Sequence, residues 1–219
     1  MKHFAVIFDM DGTMVDNTPY HYRTWQVMFK KYSLGEISEH TYFSQFSGVP
    51  IKDSIQRLFG NTHSTGQLHK LVQEKESTYQ ELYTPHVAPI NGLINFLSEL
   101  KQAGIKLAIA SSASIHDIDF ILERIHVRDY FDVIVDGSQV SNGKPNPDIF
   151  LKAAAHLQTA PQDCFVFEDS IAGIKAGNAA GMKVIGITTG NTAEQLQPSV
   201  MVIDDFTELN VQKLQELFA

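Results

Sequence analysis

The sequence predicts an α/β fold in which a parallel β-sheet is interrupted by a wholly helical insertion. Short, continuously apolar runs alternate with segments of helical spacing along most of the chain. Such runs are typical of strands that are buried on both faces and joined by helices. Residues 17–84 break this alternation, because they show helical spacing with no convincing strand.

Five apolar runs are predicted to be the strands of the sheet. They comprise residues 4–8, 105–110, 165–167, 183–187 and 201–203. Helices are predicted between and after them, at residues 90–104, 115–125, 147–157, 170–181 and 211–218. Ligands bind to such sheets at the carboxyl ends of the strands, where loop amides and helix N-termini converge. Functional residues are therefore expected just after the predicted strands.

The insertion is predicted to form a helical cap. Its four expected helices span residues 18–34, 38–46, 51–60 and 64–83. The predicted domains are therefore a core of residues 1–16 and 85–219 and a cap of residues 17–84. The two links between them, near residues 15–17 and 84–89, are expected to act as hinges.

Composition and charge limit the classes of function. The 219 residues are 43% hydrophobic, and a chain of this length buries roughly 70% of its unfolded surface in one large domain or a domain with an insertion. There are 17 basic and 25 acidic residues, which give a formal net charge of −8. With this charge and no basic block, nucleic acid is not an expected partner.

The expected location is the cytoplasm. The N-terminal apolar run ends at Asp9, which makes it too short for a signal peptide, and no stretch approaches the ~20 residues that cross a bilayer. We therefore expect no membrane partner, and we expect a monomer. The single cysteine, Cys164, lies in the apolar run CFVF. It is predicted to be a buried thiol and not a nucleophile.

Two aspartates follow the first predicted strand in the stretch FDMDG. Asp9 and Asp11 are two positions apart, so in an extended chain their side chains point to the same side. The two carboxylates repel each other unless a cation or a proton lies between them. Asp9 is also flanked by Phe8 and Met10, where an unpaired carboxylate is costly to desolvate. The pair therefore indicates a bound cation or a shared proton.

Polar side chains also follow later segments of the predicted sheet. Ser111 and Ser112 come after the second strand, where hydroxyls can donate hydrogen bonds to an oxyanion. Lys144 lies in the turn-rich link GKPNP and supplies a positive charge. Glu168 and Asp169 follow the run FVF. Acids, hydroxyls and a lysine from four strand ends fit a divalent metal ion and a phosphoryl group.

Each of these residues also has a purely structural interpretation. Ser111 or Ser112 can cap a helix, and Asp169 can cap the helix that it precedes. Lys144 can be an exposed loop lysine held by its prolines. For Asp16, a turn or helix-cap role is the preferred interpretation. For the others together a functional site is favoured, because a structural explanation requires four independent coincidences at one edge of the sheet.

Four motifs then suggest a family. In order and at ordinary spacing, FDMDGTMVD, IASSAS, GKPNPDIF and FEDSIAGIKAG resemble the signatures of the haloacid dehalogenase-like phosphohydrolases. The chain is similar to the subfamily with a small helical cap, which includes beta-phosphoglucomutase. The resemblance covers nearly the whole chain and implies a Rossmann-like core and a catalytic Mg²⁺ ion.

The resemblance implies catalytic roles for the matched residues. Asp9 would be the nucleophile that takes the phosphoryl group, and Asp11 would be the general acid and base. Ser111 and Lys144 would hold the transferred phosphate, with Ser112 beside them. A pKa of Asp11 raised by its acidic neighbour would suit its two roles. The presence of this second aspartate favours phosphate over halide, because the dehalogenase members of the family lack it.

The resemblance also implies the metal ligands. Asp9 and Asp169 would bind Mg²⁺ together with the backbone carbonyl of Asp11. Glu168 is the less constant neighbour in the family and would lie in or beside the ligand set.

Residues of the predicted cap bear on the substrate. His21 and Lys75 match positions that, in beta-phosphoglucomutase-like proteins, help the cap to close and contact substrate, although a solvated helix surface explains them equally well. The mutase pattern carries a lysine and an arginine where this chain has Ser47 and Ile51. Those cations serve the second phosphate of a sugar bisphosphate, and Lys52 can replace them only in part.

The preferred function is therefore Mg²⁺-dependent hydrolysis of a small phosphorylated metabolite, such as a sugar phosphate, through an aspartyl phosphate. Beta-phosphoglucomutase activity is the alternative. A phosphoacceptor receiver domain has similar side chains, but its acceptor follows an internal strand and it lacks a helical insertion. A catalytically silent binding protein is a further alternative, which multiple turnover of p-nitrophenyl phosphate would exclude.

Overall fold

Six strands form one parallel sheet in the computed structural model, which describes residues 4–218. They are β1 Ala5–Phe8, β2 Lys106–Ala110, β3 Val133–Val135, β4 Cys164–Glu168, β5 Lys183–Ile187 and β6 Met201–Ile203. Their order across the sheet is β3-β2-β1-β4-β5-β6, and every neighbouring pair is parallel. The predicted parallel α/β fold is confirmed.

Strand β1 lies between β2 and β4, so its carboxyl end is at the middle of the sheet edge. Phe8, its last residue, is in register with Ile109 of β2 and with Phe167 of β4. All four residues of β1 are buried, which explains why the run is continuously apolar. The residues that follow β1, β2 and β4 are thereby brought to one place.

Strand β3 is absent from the sequence prediction, which is wrong on this point. Val133–Val135 is only three residues long and lies at the edge of the sheet. Val133 and Ile134 are only partly buried. Strand β6 is equally short and has the same burial pattern but was predicted, so length alone does not explain the omission of β3.

In the described residues, four helices of the sheet unit lie between strands and a fifth follows β6. They are α5 Leu93–Gln102, α6 Ile115–Arg124, α7 Asp148–Leu157, α8 Ile171–Ala179 and α9 Val211–Glu216. Helix α7 buries five side chains at helical spacing, Ile149, Phe150, Ala153, Ala154 and Leu157. These residues join the apolar cluster on one face of the sheet, which includes Ile7 and Val166. All five helices lie within the predicted helical segments.

The chain divides into two compact units, Met1–Asp16 with Ala88–Ala219, and Asn17–Val87. The second unit contains α1 Thr18–Lys31, α2 Glu39–Gln45, α3 Ile51–Phe59 and α4 Thr65–Tyr83. It has its own hydrophobic cluster, which includes Trp25, Phe46 and Ile55. An independent core is what a separately folding domain requires. The functional division into a catalytic core and a cap stays a prediction.

The predicted state of the cysteine is confirmed. Cys164 opens β4 and is fully buried. Burial, with a smaller contribution from Asp163, raises the pKa of its thiol to about 12. Within residues 4–218, no helix combines the length and the apolar character needed to cross a bilayer. The location in the cytoplasm and the monomeric state stay predictions.

Candidate active site

The carboxylate of Asp9 lies at the centre of the site because of the strand that precedes it. The backbone N–H of Asp9 donates to the carbonyl of Phe167 at 3.0 Å, which extends the pairing of β1 with β4 by one residue. The chain then turns, with the N–H of Met14 donating to the carbonyl of Met10 at 2.8 Å. Gly12 in this turn has a φ of +76°, a conformation that favours glycine. Asp9 is only 6% exposed.

Lys144 joins this carboxylate to a second one. Its Nζ lies 2.5 Å from Asp9 Oδ1, 2.7 Å from Glu168 Oε1 and 3.3 Å from the carbonyl oxygen of Ala110. Three acceptors match the three N–H donors of an ammonium group. The side chain of Lys144 is 7% exposed, so the exposed-loop interpretation of this lysine is wrong.

Charge explains why Lys144 stays protonated. Burial disfavours its ammonium, but the carboxylates of Asp9 and Glu168 outweigh burial and raise the pKa of Lys144 above its ordinary value. The lysine is therefore a fixed positive charge at this edge of the sheet.

Glu168 is the last residue of β4 and holds Lys144 in place. Its Oε1 accepts from Lys144, while its Oε2 accepts from the N–H of Ser170 at 2.7 Å and from the Ser170 hydroxyl at 2.9 Å. A Cβ added at Gly173 would overlap the Glu168 carboxylate, so helix α8 packs tightly against it. These contacts favour a positioning role, and its role as a metal ligand stays a prediction.

Asp169 lies beside this pair and is 8% exposed. It does not cap α8, because the N-cap is Ser170, whose hydroxyl accepts from the N–H of Gly173 at 3.0 Å. A Cβ added at Gly12 would overlap the Asp169 carboxylate. The loops after β1 and β4 therefore meet at this side chain.

Burial and the neighbouring acidic groups raise the pKa values of Asp9 and Asp169. Burial is the main cause that raises the pKa of Asp9 to about 8, and Glu168 and Asp11 raise it further while Lys144 lowers it. Burial likewise raises the pKa of Asp169 well above its ordinary value, with contributions from Glu168 and Asp9. The structure thus places the carboxylates of Asp9 and Glu168 against one ammonium group, with Asp11 and Asp169 close enough to interact electrostatically. A second positive charge would be stabilised here.

The two serines follow β2 as predicted, and neither caps a helix. Helix α6 is capped by Ser114, whose hydroxyl accepts from the N–H of Asp117 at 3.2 Å. Ser111 is 1% exposed, and its Oγ accepts from the N–H of Ala113 at 3.1 Å. Ser112 is partly buried.

His21 and Lys75 lie together in the helical unit. Lys75 is 5% exposed, and its Nζ is 3.2 Å from His21 Nδ1. The His21 ring stacks on Tyr79 at 4.1 Å between centroids, with 4° between the planes. The hydroxyl of Tyr79 is 2.7 Å from Nδ2 of Asn17. Because Lys75 is buried, the solvated-surface interpretation is wrong for this residue.

Two further residues at the site were not predicted from the sequence. The hydroxyl of Thr189 donates to the carbonyl of Gly12, and Nδ2 of Asn191 donates to the carbonyl of Asp169 at 2.9 Å. Both residues follow β5. The expectation that functional residues lie just after the strands of a parallel sheet therefore applied to them as well. Their side chains are uncharged, which is why the sequence alone gave them no prominence.

Comparisons with known proteins place the sequence and the fold in a family. The sequence matches the haloacid dehalogenase-like hydrolases over residues 6–187. It is 31% identical to the beta-phosphoglucomutase of Bacillus subtilis over 97% of this chain and 94% of that protein. It is 32% identical to the phosphorylated carbohydrates phosphatase of Thermotoga maritima over 83% of each chain. The crystal structure of beta-phosphoglucomutase from Clostridium difficile has a TM-score of 0.85 and 30% identity, with 99% of this chain and 97% of that chain covered.

The chain therefore belongs to the haloacid dehalogenase-like hydrolase family. Within that family it is an enzyme, either a phosphatase or a mutase. The predicted resemblance and the Rossmann-like fold are both confirmed.

Proposed function

We propose that this enzyme is a Mg²⁺-dependent phosphohydrolase that cleaves small phosphorylated metabolites, including sugar phosphates, through a phosphoryl group carried by Asp9. The observation that carries the proposal is the buried Asp9 carboxylate at the centre of the sheet edge, bound through Oδ1 to Lys144 at 2.5 Å. The ammonium of Lys144 and a bound cation both favour the ionised form of this carboxyl group, which is the form that attacks phosphorus.

The residues present fit a Mg²⁺ ion. Magnesium is usually bound by one or two carboxylates, with substrate phosphate and water completing six positions. Asp9 and Asp169 provide two buried carboxylates whose pKa values are raised by burial, and a cation would favour their ionised forms. In the described part of the chain, no three His, Cys, Asp or Glu side chains are grouped to hold a metal by themselves. The ligands that we propose are two carboxylates and the backbone carbonyl of Asp11.

The ion would supply positive charge to the phosphoryl group during transfer. The chain's own residues do the rest. Lys144 orients the Asp9 carboxylate, and Glu168 fixes Lys144 through Oε1 at 2.7 Å. The Oγ of Ser111 accepts from a backbone N–H, so its hydroxyl proton can be donated to a phosphoryl oxygen. Ser112 follows it at the same strand end.

Asp11 completes the proposed chemistry. It would donate a proton to the leaving oxygen and then accept one from the water that cleaves the phosphoenzyme. Its electrostatic effect on both Asp9 and Asp169 supports its place in the same group of acids. We further propose that His21 and Lys75 contribute to substrate recognition, as a buried pair ordered by Tyr79.

Hydrolysis is preferred over the mutase reaction because of two side chains in the helical unit. Ser47 is exposed and uncharged, and Ile51 packs against the hydrophobic cluster of the unit. A mutase must retain a bisphosphate intermediate, and cationic side chains are the usual means of holding its second phosphate. With neither cation present, release of inorganic phosphate is favoured. The kinship with a beta-phosphoglucomutase keeps the mutase reaction as the second candidate.

Turnover of p-nitrophenyl phosphate tests the proposal. We expect multiple turnovers with Mg²⁺ and loss of activity with EDTA. Asp9→Asn should fold normally and lose at least ~10³-fold in kcat, as expected for removal of a nucleophile. Asp16→Asn is the matched control, because this exposed aspartate lies in the same stretch of chain, and it should keep wild-type activity. Activity of Asp9→Asn above a tenth of wild type would overturn the assignment of Asp9 as the nucleophile. Separately, a panel of phosphorylated metabolites assayed with the wild-type protein would identify the substrate.

A further inference from the structure

The loop that follows β5 reaches both loops of the proposed catalytic site. Thr189 donates its hydroxyl hydrogen to the carbonyl of Gly12, which lies 177 residues away in sequence. Asn191 donates from Nδ2 to the carbonyl of Asp169 at 2.9 Å. The two side chains therefore tie the loop after β1 and the loop after β4 to the same short segment.

The contact around Asp169 is close. A Cβ added at Gly190 would lie 3.2 Å from Asp169 Oδ2, which is tighter than ordinary van der Waals contact. A Cβ added at Gly12 would overlap the same carboxylate. The Asp169 carboxylate is thus flanked by two glycines, one from each of the neighbouring loops.

The same loop is anchored on its other side. The N–H of Thr188 donates to the carbonyl of Ile203 at 3.0 Å, and its hydroxyl donates to Asp204 Oδ1 at 2.6 Å. Thr188 therefore attaches the loop to β6, while its neighbour Thr189 extends toward β1. A loop fixed to one strand can hold the next loop at a defined distance.

We propose that Thr189 and Asn191 are positioning residues, which act through the main chain of Gly12 and Asp169 to hold the Asp9–Asp11 loop and Asp169 at the spacing that binds Mg²⁺. This inference rests on the proposed function, since it assigns these residues a role toward the same ion. Gly12 directly follows Asp11, so the peptide group that Thr189 holds is the next one along the chain from the peptide group that carries the Asp11 carbonyl. Neither side chain carries a charge, so both would act by holding backbone groups in place through hydrogen bonds.

A matched set of threonine variants separates positioning from simple stabilisation. Thr189→Val removes the hydroxyl that binds Gly12, and Thr189→Ser retains it. Thr188→Val removes a hydroxyl hydrogen bond from the adjacent residue that faces Asp204 instead. For each protein we would measure Tm as a function of Mg²⁺ concentration, without substrate, and then kcat and KM at saturating Mg²⁺.

Loss of the Thr189 hydroxyl should raise the Mg²⁺ concentration for half-maximal stabilisation about tenfold, the size of effect typical when an outer partner of a metal ligand is removed. It should lower kcat more than it changes KM. Thr189→Ser should restore the wild-type Mg²⁺ response. Thr188→Val should lower Tm in the absence of Mg²⁺ but leave the Mg²⁺ response unchanged.

Asn191→Leu provides a second test that does not depend on the folding of Thr189→Val, and it should shift the Mg²⁺ response in the same direction. A Mg²⁺ response that is unchanged in both Thr189→Val and Asn191→Leu would overturn the inference while leaving the proposed function intact. A shift of equal size in Thr188→Val would also overturn it, because the loop would then act through stability alone. If the wild-type protein shows no Mg²⁺-dependent rise in Tm, the proposed function itself fails and the inference falls with it.

Discussion

The ammonium group of Lys144 lies 2.5 Å from the Oδ1 atom of Asp9, although 135 residues separate them in sequence. The side chains are 7% and 9% exposed, so the pair is almost fully withdrawn from water. A buried ion pair contributes little to the net free energy of unfolding, because burying the charges is costly. Removing one partner is nevertheless strongly destabilising, because the other charge is left without compensation. Its two members are therefore strongly coupled.

Lys144→Met should destabilise the protein by about 3 kcal/mol, as is typical when one partner of a buried ion pair is removed. Urea denaturation at neutral pH would measure this change in the free energy of unfolding. Lys101→Met is the control, because Lys101 pairs with Asp132 at 3.9 Å at an exposed position and such pairs contribute less than ~1 kcal/mol. Equal losses in the two variants would contradict the buried pairing.

The stability of the metal-free protein should fall as the pH rises from about 4 to about 8. The pKa of Asp9 is raised from 3.8 to about 8, so within this window the folded state binds more protons than the unfolded state, and its stability decreases with pH. Mg²⁺ binds the ionised form, so the stabilisation it provides should increase over the same window. Thermal unfolding in EDTA and in Mg²⁺ at several pH values measures both trends. In Asp9→Asn both should weaken, and an unchanged pH dependence in that variant would contradict the assignment of the shift to Asp9.

Asp169→Asn and Glu168→Gln should have different effects despite their adjacent positions. Asp169→Asn should weaken the apparent Mg²⁺ affinity more than it changes KM for substrate, because it removes a proposed ligand. Glu168→Gln should mainly lower stability, because Glu168 holds Lys144 and Ser170. Mg²⁺ titrations of activity and urea denaturation distinguish the two. An unchanged Mg²⁺ titration in Asp169→Asn would move the ligand elsewhere, with Glu168 as the first residue to examine.

The sheet and the helices could be predicted because their signals are local. Buried parallel strands are continuously apolar. In helix α7 the buried apolar residues recur every three or four positions, which is the period of an α-helix. Strand β3 was missed, because a run of three apolar residues is ambiguous in sequence and does not by itself identify a strand. Its place depends on pairing with β2, which is a tertiary property.

The candidate site was predictable where charge made residues conspicuous. Asp9, Lys144 and Asp169 were found because unpaired charge at a strand end requires an explanation. Thr189 and Asn191 were missed, because an uncharged side chain gains its role only from the backbone carbonyl that it reaches. The burial of Lys75 against His21 was equally invisible, since it arises from packing between α1 and α4.

Adding the two cations found in the mutase pattern should shift the products. In Ser47→Lys/Ile51→Arg, the ratio of isomerised to hydrolysed product should rise, because each well-placed charge-assisted contact contributes ~1.5–3 kcal/mol. The substrate would be beta-glucose 1-phosphate with a catalytic amount of glucose 1,6-bisphosphate, assayed for glucose 6-phosphate and for released phosphate in the same samples. Gln26→Lys/Val27→Arg adds the same charges at exposed positions of α1 and should leave the ratio unchanged. If the unmodified protein isomerises this sugar faster than it releases phosphate, the mutase function is correct and the phosphatase proposal is wrong.

Asp9 is proposed to carry the phosphoryl group, and trapping this group on the protein shows which residue accepts it. Asp11→Asn should slow hydrolysis of the phosphoenzyme, because the base that activates water is removed. After incubation of this variant with acetyl phosphate and Mg²⁺, mass spectrometry of the quenched protein should detect one added phosphoryl group, and peptide mapping should place it on Asp9. The double variant Asp9→Asn/Asp11→Asn should gain none. A phosphoryl group on another residue, or hydrolysis by the wild-type protein with no phosphoenzyme in Asp11→Asn, would contradict the account.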